Sequence, residues 1–154
     1  MTSNLPADYP RFLQELKARI LRAQLQAAVA VNRELLALYW SIGRDIIARQ
    51  EREAWGSAVI DRLGKDLQTA LPGVQGFGTR NLWRMRAFCL AYPAEIAESE
   101  SDIFLPQAVA EIPWGHHVLL LEKALGPEER LFYARAALAN GWSRSILASR
   151  RPRP

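Results

Sequence analysis

The 154-residue sequence has a single cysteine, only two histidines and three lysines, and no apolar run near the ~18–20 residues that cross a bilayer. Each shortage excludes something. Cys89 cannot close an internal disulfide, and residues 1–9 lack the basic start and apolar core of a signal peptide, so a cytoplasmic protein with a flexible N-terminus is expected. His116 and His117 are adjacent, so on a helix they point ~100° apart and cannot grip one ion as a pair four residues apart does. Gly73, Gly76 and Gly78 do not follow a phosphate-loop spacing, and no Gly-Lys-Ser/Thr follows them. Asp61 and Asp66 stand beside Arg62 and Lys65 and read as ordinary surface charges. No catalytic residue, metal site or cofactor is therefore expected, and no period-two segment is long enough for a strand.

What is present is a set of helical patterns, in a chain 49% apolar with five tryptophans to pack. Asp8 and Pro10 open a helix in which Leu13, Leu16, Ile20, Ala23, Ala27, Val31, Leu35, Leu38, Ile42 and Ile46 recur at steps of three and four. Running to about Gln50, with a bend expected near Val31 and Asn32, it spans on the order of 60 Å, so it either breaks or projects. Ser57 caps a second helix to about Ala70, stopped by Leu71-Pro72-Gly73, and Thr79 caps a third to about Tyr92. Pro106 and Pro113 bracket a short helical or irregular piece. Further helices run from Pro113 to about Ala124, from Pro127 to Asn140, and from Ser143. The expected fold is all-α, about six helices: a flexible 1–9, a long helix and helix-turn-helix-like lobe over 10–92, an acidic linker or loop over 93–113, a second lobe over 114–149 packed on the first, and a basic tail over 150–154.

Charge is placed unevenly. The net +4 conceals a local +3 over residues 79–92, from Arg80, Arg84 and Arg86, and a local +4 over residues 143–154, from Arg144, Arg150, Arg151 and Arg153. The remainder is net negative, including Glu95, Glu98, Glu100 and Asp102, which read as a solvated loop. Concentrated cations attract nucleic acid more than a mild overall excess does. Projected at ~100° per residue, the third helix turns Asn81, Leu82, Met85, Phe88, Cys89 and Tyr92 to one side. Arg80, Arg84, Ala87 and Ala91 fall on the other, with Trp83 and Arg86 at the edges. Arginine forks onto phosphate or the guanine edge, and small alanines allow close approach. The bland alternative is a solvated helix face. The stretch between the second and third helices is also longer than the 3–4 residues usual in a helix-turn-helix.

The run Tyr39-Trp40-Ser41-Ile42-Gly43-Arg44-Asp45-Ile46, followed by Trp55-Gly56, Leu71-Pro72-Gly73-Val74-Gln75-Gly76-Phe77, Asn81-Leu82-Trp83-Arg84-Met85-Arg86-Ala87-Phe88, Ile112-Pro113-Trp114-Gly115-His116-His117 and Asn140-Gly141-Trp142-Ser143-Arg144, resembles the N-terminal helical domain of YhcG-like bacterial proteins. The resemblance implies a DNA-binding helical domain that precedes, in the family, a nuclease domain of the PD-(D/E)XK superfamily. The nuclease's metal-binding Asp and Glu-x-Lys have no counterpart in this chain, so its activity is not carried over. The sequence passes into Arg150-Arg151-Pro152-Arg153-Pro154 where the family's helix continues, which reads as a truncated product or a stand-alone relative.

The functional expectation is a non-catalytic module binding double-stranded DNA through Arg80, Arg84 and Arg86, with Lys65, Arg144 and Arg150 adding phosphate contacts. A separate chain would then supply any nuclease. Three to five phosphate contacts give a log–log salt slope of about −3 to −5. The rival is an oligomerisation or adaptor module, or a remnant, without nucleic-acid affinity, in which the long first helix forms a homodimer seam. RNA binding ranks lower, because few exposed aromatics can be assigned to base stacking.

Overall fold

The computed structural model describes residues 6–93, 105–123 and 125–150. The acidic cluster at 95–102 and the arginines at 151 and 153 lie outside them. Among the described residues there are seven helices and no strand: α1 (Tyr9–Arg52), α2 (Ser57–Ala70), α3 (Thr79–Ala91), α4 (Gln107–Glu111), α5 (Trp114–Glu122), α6 (Pro127–Asn140) and α7 (Arg144–Ser149). The all-α expectation holds, and the piece between the two prolines is the short helix α4.

Helix α1 does not break at Val31 and Asn32; its 44 residues are continuously helical. Only its C-terminal half is buried, through Leu36, Tyr39, Trp40, Gly43 and Ile46. There it crosses α3 so closely that a Cβ on Gly43 would fall on the Met85 carbonyl, and a glycine is what permits this approach. Helices α2 and α3 meet the same way, a Cβ on Gly64 standing 2.6 Å from the Thr79 nitrogen. Between them, residues 71–78 turn through Gly73 and Gly76, whose φ values of 82° and 99° suit glycine.

Ser57 and Thr79 sit one residue inside their helices rather than at the caps, which are the extended Gly56 and Gly78. Freed from capping, the Thr79 hydroxyl donates to the Asp61 carbonyl at 3.3 Å and ties α3 to α2. Ser143 does cap α7, accepting from the Ile146 amide at 3.2 Å. Gly141 ends α6 in the left-handed conformation, φ 62°.

The core is three touching clusters. Tyr39, Ile46, Ile60, Leu82 and Met85 join α1, α2 and α3. Leu36, Trp40, Phe88, Cys89, Val109 and Ala110 join α1 and α3 to α4. Ile112, Leu120, Tyr133, Ala134, Ala137 and Leu147 join the last four helices. Trp114 packs against the first two, its ring 4.8 Å from Tyr39 and 5.2 Å from Phe88 in edge-on geometry. Polar groups complete the joins: the Asn32 amide donates to the Ala110 and Ile112 carbonyls, both at 3.0 Å. Arg130 donates to the Ala91 carbonyl at 3.2 Å, at the end of α3 where a cation complements the helix dipole.

Candidate nucleic-acid interface

Packing divides α3 along the line its periodicity draws. Leu82, Met85, Phe88 and Cys89 are buried, and Arg80 is exposed on the far side. Asn81 faces inward, as its place on the apolar side implies: its amide donates to the Gly76 carbonyl at 2.6 Å, and its oxygen accepts from the Trp114 indole at 2.9 Å. It is spent on holding the connector and α5, not offered to a base edge.

The outer face of α3 is not open to solvent throughout. Helix α5 runs beside it, so Arg80, Trp83, Arg84 and Ala87 form one wall of a groove of about 670 Å³, opposite Val118, Leu121 and Glu122, with Asp61 of α2 at its edge. Its floor is apolar and its rim carries both signs. Arg84 pairs with Glu122 at 3.4 Å, and the two side chains keep 35% and 57% of their exposure, so the pair is solvent-screened and worth ~0–1 kcal/mol.

The six arginines and lysines singled out in the sequence therefore separate into four places. Arg80 and Arg84 share the groove. Lys65 is exposed on α2 directly after Gly64, the residue that abuts the start of α3. Among the described residues neither Arg80 nor Lys65 enters an ion pair. Arg86 points to α1, where its guanidinium donates to Gln50 at 2.6 Å. Arg144 and Arg150 flank α7: the Arg144 stem lies near Gly115, and the Arg150 guanidinium stacks 4.5 Å above the Trp142 ring. Lys123, not singled out by the sequence, donates to the carbonyls of Ala148 and Arg150 at 3.1 and 3.0 Å and closes the end of α7.

The histidines are packing residues. His116 Nε2 meets the Trp142 carbonyl at 2.8 Å. His117 is fully buried against Phe88 and Tyr92, with Nε2 2.7 Å from the Val109 carbonyl. Because a carbonyl only accepts, that nitrogen carries the proton, and Nδ1 is left buried without a partner. Desolvation pushes the imidazole down to about 4, outweighing the Val109 hydrogen bond that raises it; His116 lowers it further. Burial also raises the Cys89 thiol, so it packs as a small apolar group. Among the described residues no group of three His, Cys, Asp or Glu converges on a metal position, and no helix is long and apolar enough to cross a membrane.

No curated protein and no solved structure matches the chain. A family model does, across residues 15–151, in accord with the resemblance carried by the ordered tryptophan and glycine blocks. Those blocks are where the helices lock together: Gly43 at the α1–α3 crossing, Gly76 against the Tyr39 hydroxyl, Trp114 on Asn81. The chain belongs to the DUF1016 N-terminal domain family.

Proposed function

We propose that the chain is a non-catalytic, sequence-tolerant DNA-binding module that meets the duplex with the outer rim of α3 and the neighbouring edge of α2. The observation that carries this reading is the placement of Arg80 and Lys65, both exposed and outside the ion pairs of the described residues, beside Arg84 one turn further along α3. Arg84 is held by Glu122 in a screened pair and adds a phosphate contact only where that pair is broken. Arg86, on the α1 side, and Arg144 and Arg150, at α7, would touch only nucleic acid that extends past the groove. A nuclease would be recruited in trans.

The test is fluorescence anisotropy of a labelled duplex at low and moderate salt. Replacing Arg80 and Lys65 by Ala should remove most of the salt-sensitive binding, and Arg86→Ala should leave the slope unchanged while circular dichroism stays native. Full binding by the Arg80/Lys65 variant would move the interface elsewhere. A second reading, a helical adaptor without nucleic-acid affinity, is favoured by the apolar floor of the same groove, formed by Trp83, Ala87, Val118 and Leu121. Absence of wild-type binding at either salt would select it.

A further inference from the structure

The N-terminal half of α1 carries apolar residues that nothing among the described residues covers. Phe12, Leu13, Ile20, Leu21, Leu25 and Val31 are all exposed, Ile20 at 49% and Leu25 at 66%. They fall on two faces. Projected at ~100° per residue from Phe12, Leu13, Leu16, Ile20, Ala23, Ala27 and Ala30 lie within about 0–100°. The face that meets the rest of the molecule, through Asn32, Leu36, Tyr39, Gly43 and Ile46, lies at about 160–240°. Leu21 and Leu25 continue that second face beyond the last contact. The first face points away from the body, so a second helix can lie along it without meeting the bundle.

The order of residues on that face identifies the second helix. Leu13, Leu16, Ile20, Ala23, Ala27 and Ala30 are spaced three, four, three, four and three apart, an unbroken heptad seam. Its large residues come first and its alanines last. Paired in parallel, two copies would set leucine and isoleucine on themselves and then leave three consecutive layers of alanine on alanine. Paired antiparallel, every layer joins one large and one small residue: Leu13 with Ala30 of the partner subunit, Leu16 with Ala27 of the partner subunit, Ile20 with Ala23 of the partner subunit, and the same again across the twofold. Each layer then has nearly the same volume, the condition for close packing. The flanking charges agree. Lys17 and Arg19 border the seam, and in this register they stand opposite Gln24 of the partner subunit and Gln26 of the partner subunit, so no like charges face each other.

We infer that the chain forms an antiparallel homodimer through residues 13–30 of α1, its symmetry axis passing between Ile20 and Ala23. The interface is isologous, the closed twofold form commonest among soluble oligomers. It does not depend on the DNA-binding reading, since it uses none of the residues assigned to it.

Sedimentation equilibrium of the whole chain tests this, with mass expected to rise from monomer to dimer as concentration increases. Ile20→Glu places a charge in the central layer and should weaken the dimer at least tenfold. Residue 20 lies outside all three core clusters, so the bundle stays folded by near-ultraviolet circular dichroism. Leu25→Glu, on the other face, should leave the dimer intact. Orientation is read by disulfide trapping under native conditions, in which buried Cys89 is silent. Leu13→Cys with Ala30→Cys should cross-link readily, and Leu13→Cys alone should not. A monomer at all concentrations, a dimer indifferent to Ile20→Glu, loss of the dimer with Leu25→Glu, or cross-linking by Leu13→Cys alone would each overturn the inference.

Discussion

Acid should loosen this protein through a single side chain, His117. Folded, its imidazole is fully buried and pushed down to about 4, against 6.5 for a free histidine. The unfolded chain therefore binds a proton between those values that the folded chain refuses. Stability from this site is complete above pH ~6.5, falls as pH drops towards ~4, and levels off below. At pH 5 the loss comes to ~2 kcal/mol. For a chain of this size that lowers the melting temperature by about 4–8 °C. The physical reason is the buried Nδ1, which has no acceptor for the proton it would gain. Glu111, whose folded carboxyl the Arg33 hydrogen bond holds below the usual 4.5, loses its contribution only as pH falls below that value and so does not enter the comparison of pH 7 with pH 5. The assay is thermal or urea denaturation at pH 7 and pH 5 for the wild type and His117→Gln, which keeps a donor for the Val109 carbonyl and does not titrate. The variant starts less stable and should lose little more on acidification. Equal losses in both proteins would refute the assignment.

Three further outcomes follow from packing and charge. Gly43→Ala drives a Cβ onto the Met85 carbonyl; overpacking of ~1–3 kcal/mol should exceed the ~1 kcal/mol gained in helix propensity, whereas Gly115→Ala, whose Cβ meets only the Arg144 stem at 3.7 Å, should be neutral or mildly stabilising in the same urea titration. Asn32→Ala removes both bonds from α1 to the α4 carbonyls and should cost ~1–3 kcal/mol, seen as a lower denaturation midpoint; an unchanged midpoint would mean water replaces the amide. Glu122→Gln frees Arg84 from its ion pair and should tighten duplex binding and steepen the salt slope by about 0.9, the increment for one phosphate contact; a weaker or unaltered slope would take Arg84 out of the interface.

The division of α3 into a buried and an outer face was legible, because one projection at the helical period separates Leu82, Met85 and Phe88 from Arg80 and Arg84. What stands opposite the outer face was not. Glu122 is 38 residues from Arg84 in the chain, and periodicity in one helix carries no information about which other helix lies beside it. The same limit explains Arg86: its place at the edge of the projection was correct, but its partner Gln50 belongs to α1. Gly43 and Gly64 look like helix weaknesses when read locally. Each is a point where two helices approach closely; Gly43 stands in an ordered block with a rare tryptophan, which hinted at that, and nothing local marked Gly64. The length of α1 posed the alternatives of break or projection, and its uninterrupted 44 residues decide for projection.

Pairing within the fold also changes the electrostatics of the proposed complex. Counting arginines along the sequence gives three to five phosphate contacts. In the folded chain Arg84 is held by Glu122, Arg86 by Gln50, and Arg150 by Trp142, which leaves Arg80 and Lys65 as the ready contacts at the groove and a slope of about −2 per module. On the proposed reading such a module alone would bind duplex weakly. An antiparallel dimer joins two of them, and the second engages at the effective concentration set by the rigid helical pair rather than at its bulk concentration. The two proposals thus make a joint prediction that neither makes alone. Ile20→Glu, which touches no DNA-facing residue, should halve the salt slope from about −4 to about −2 and lower the apparent affinity. A slope already near −2 in the wild type and unmoved by Ile20→Glu would mean that the modules bind singly, whatever the oligomeric state of the free protein.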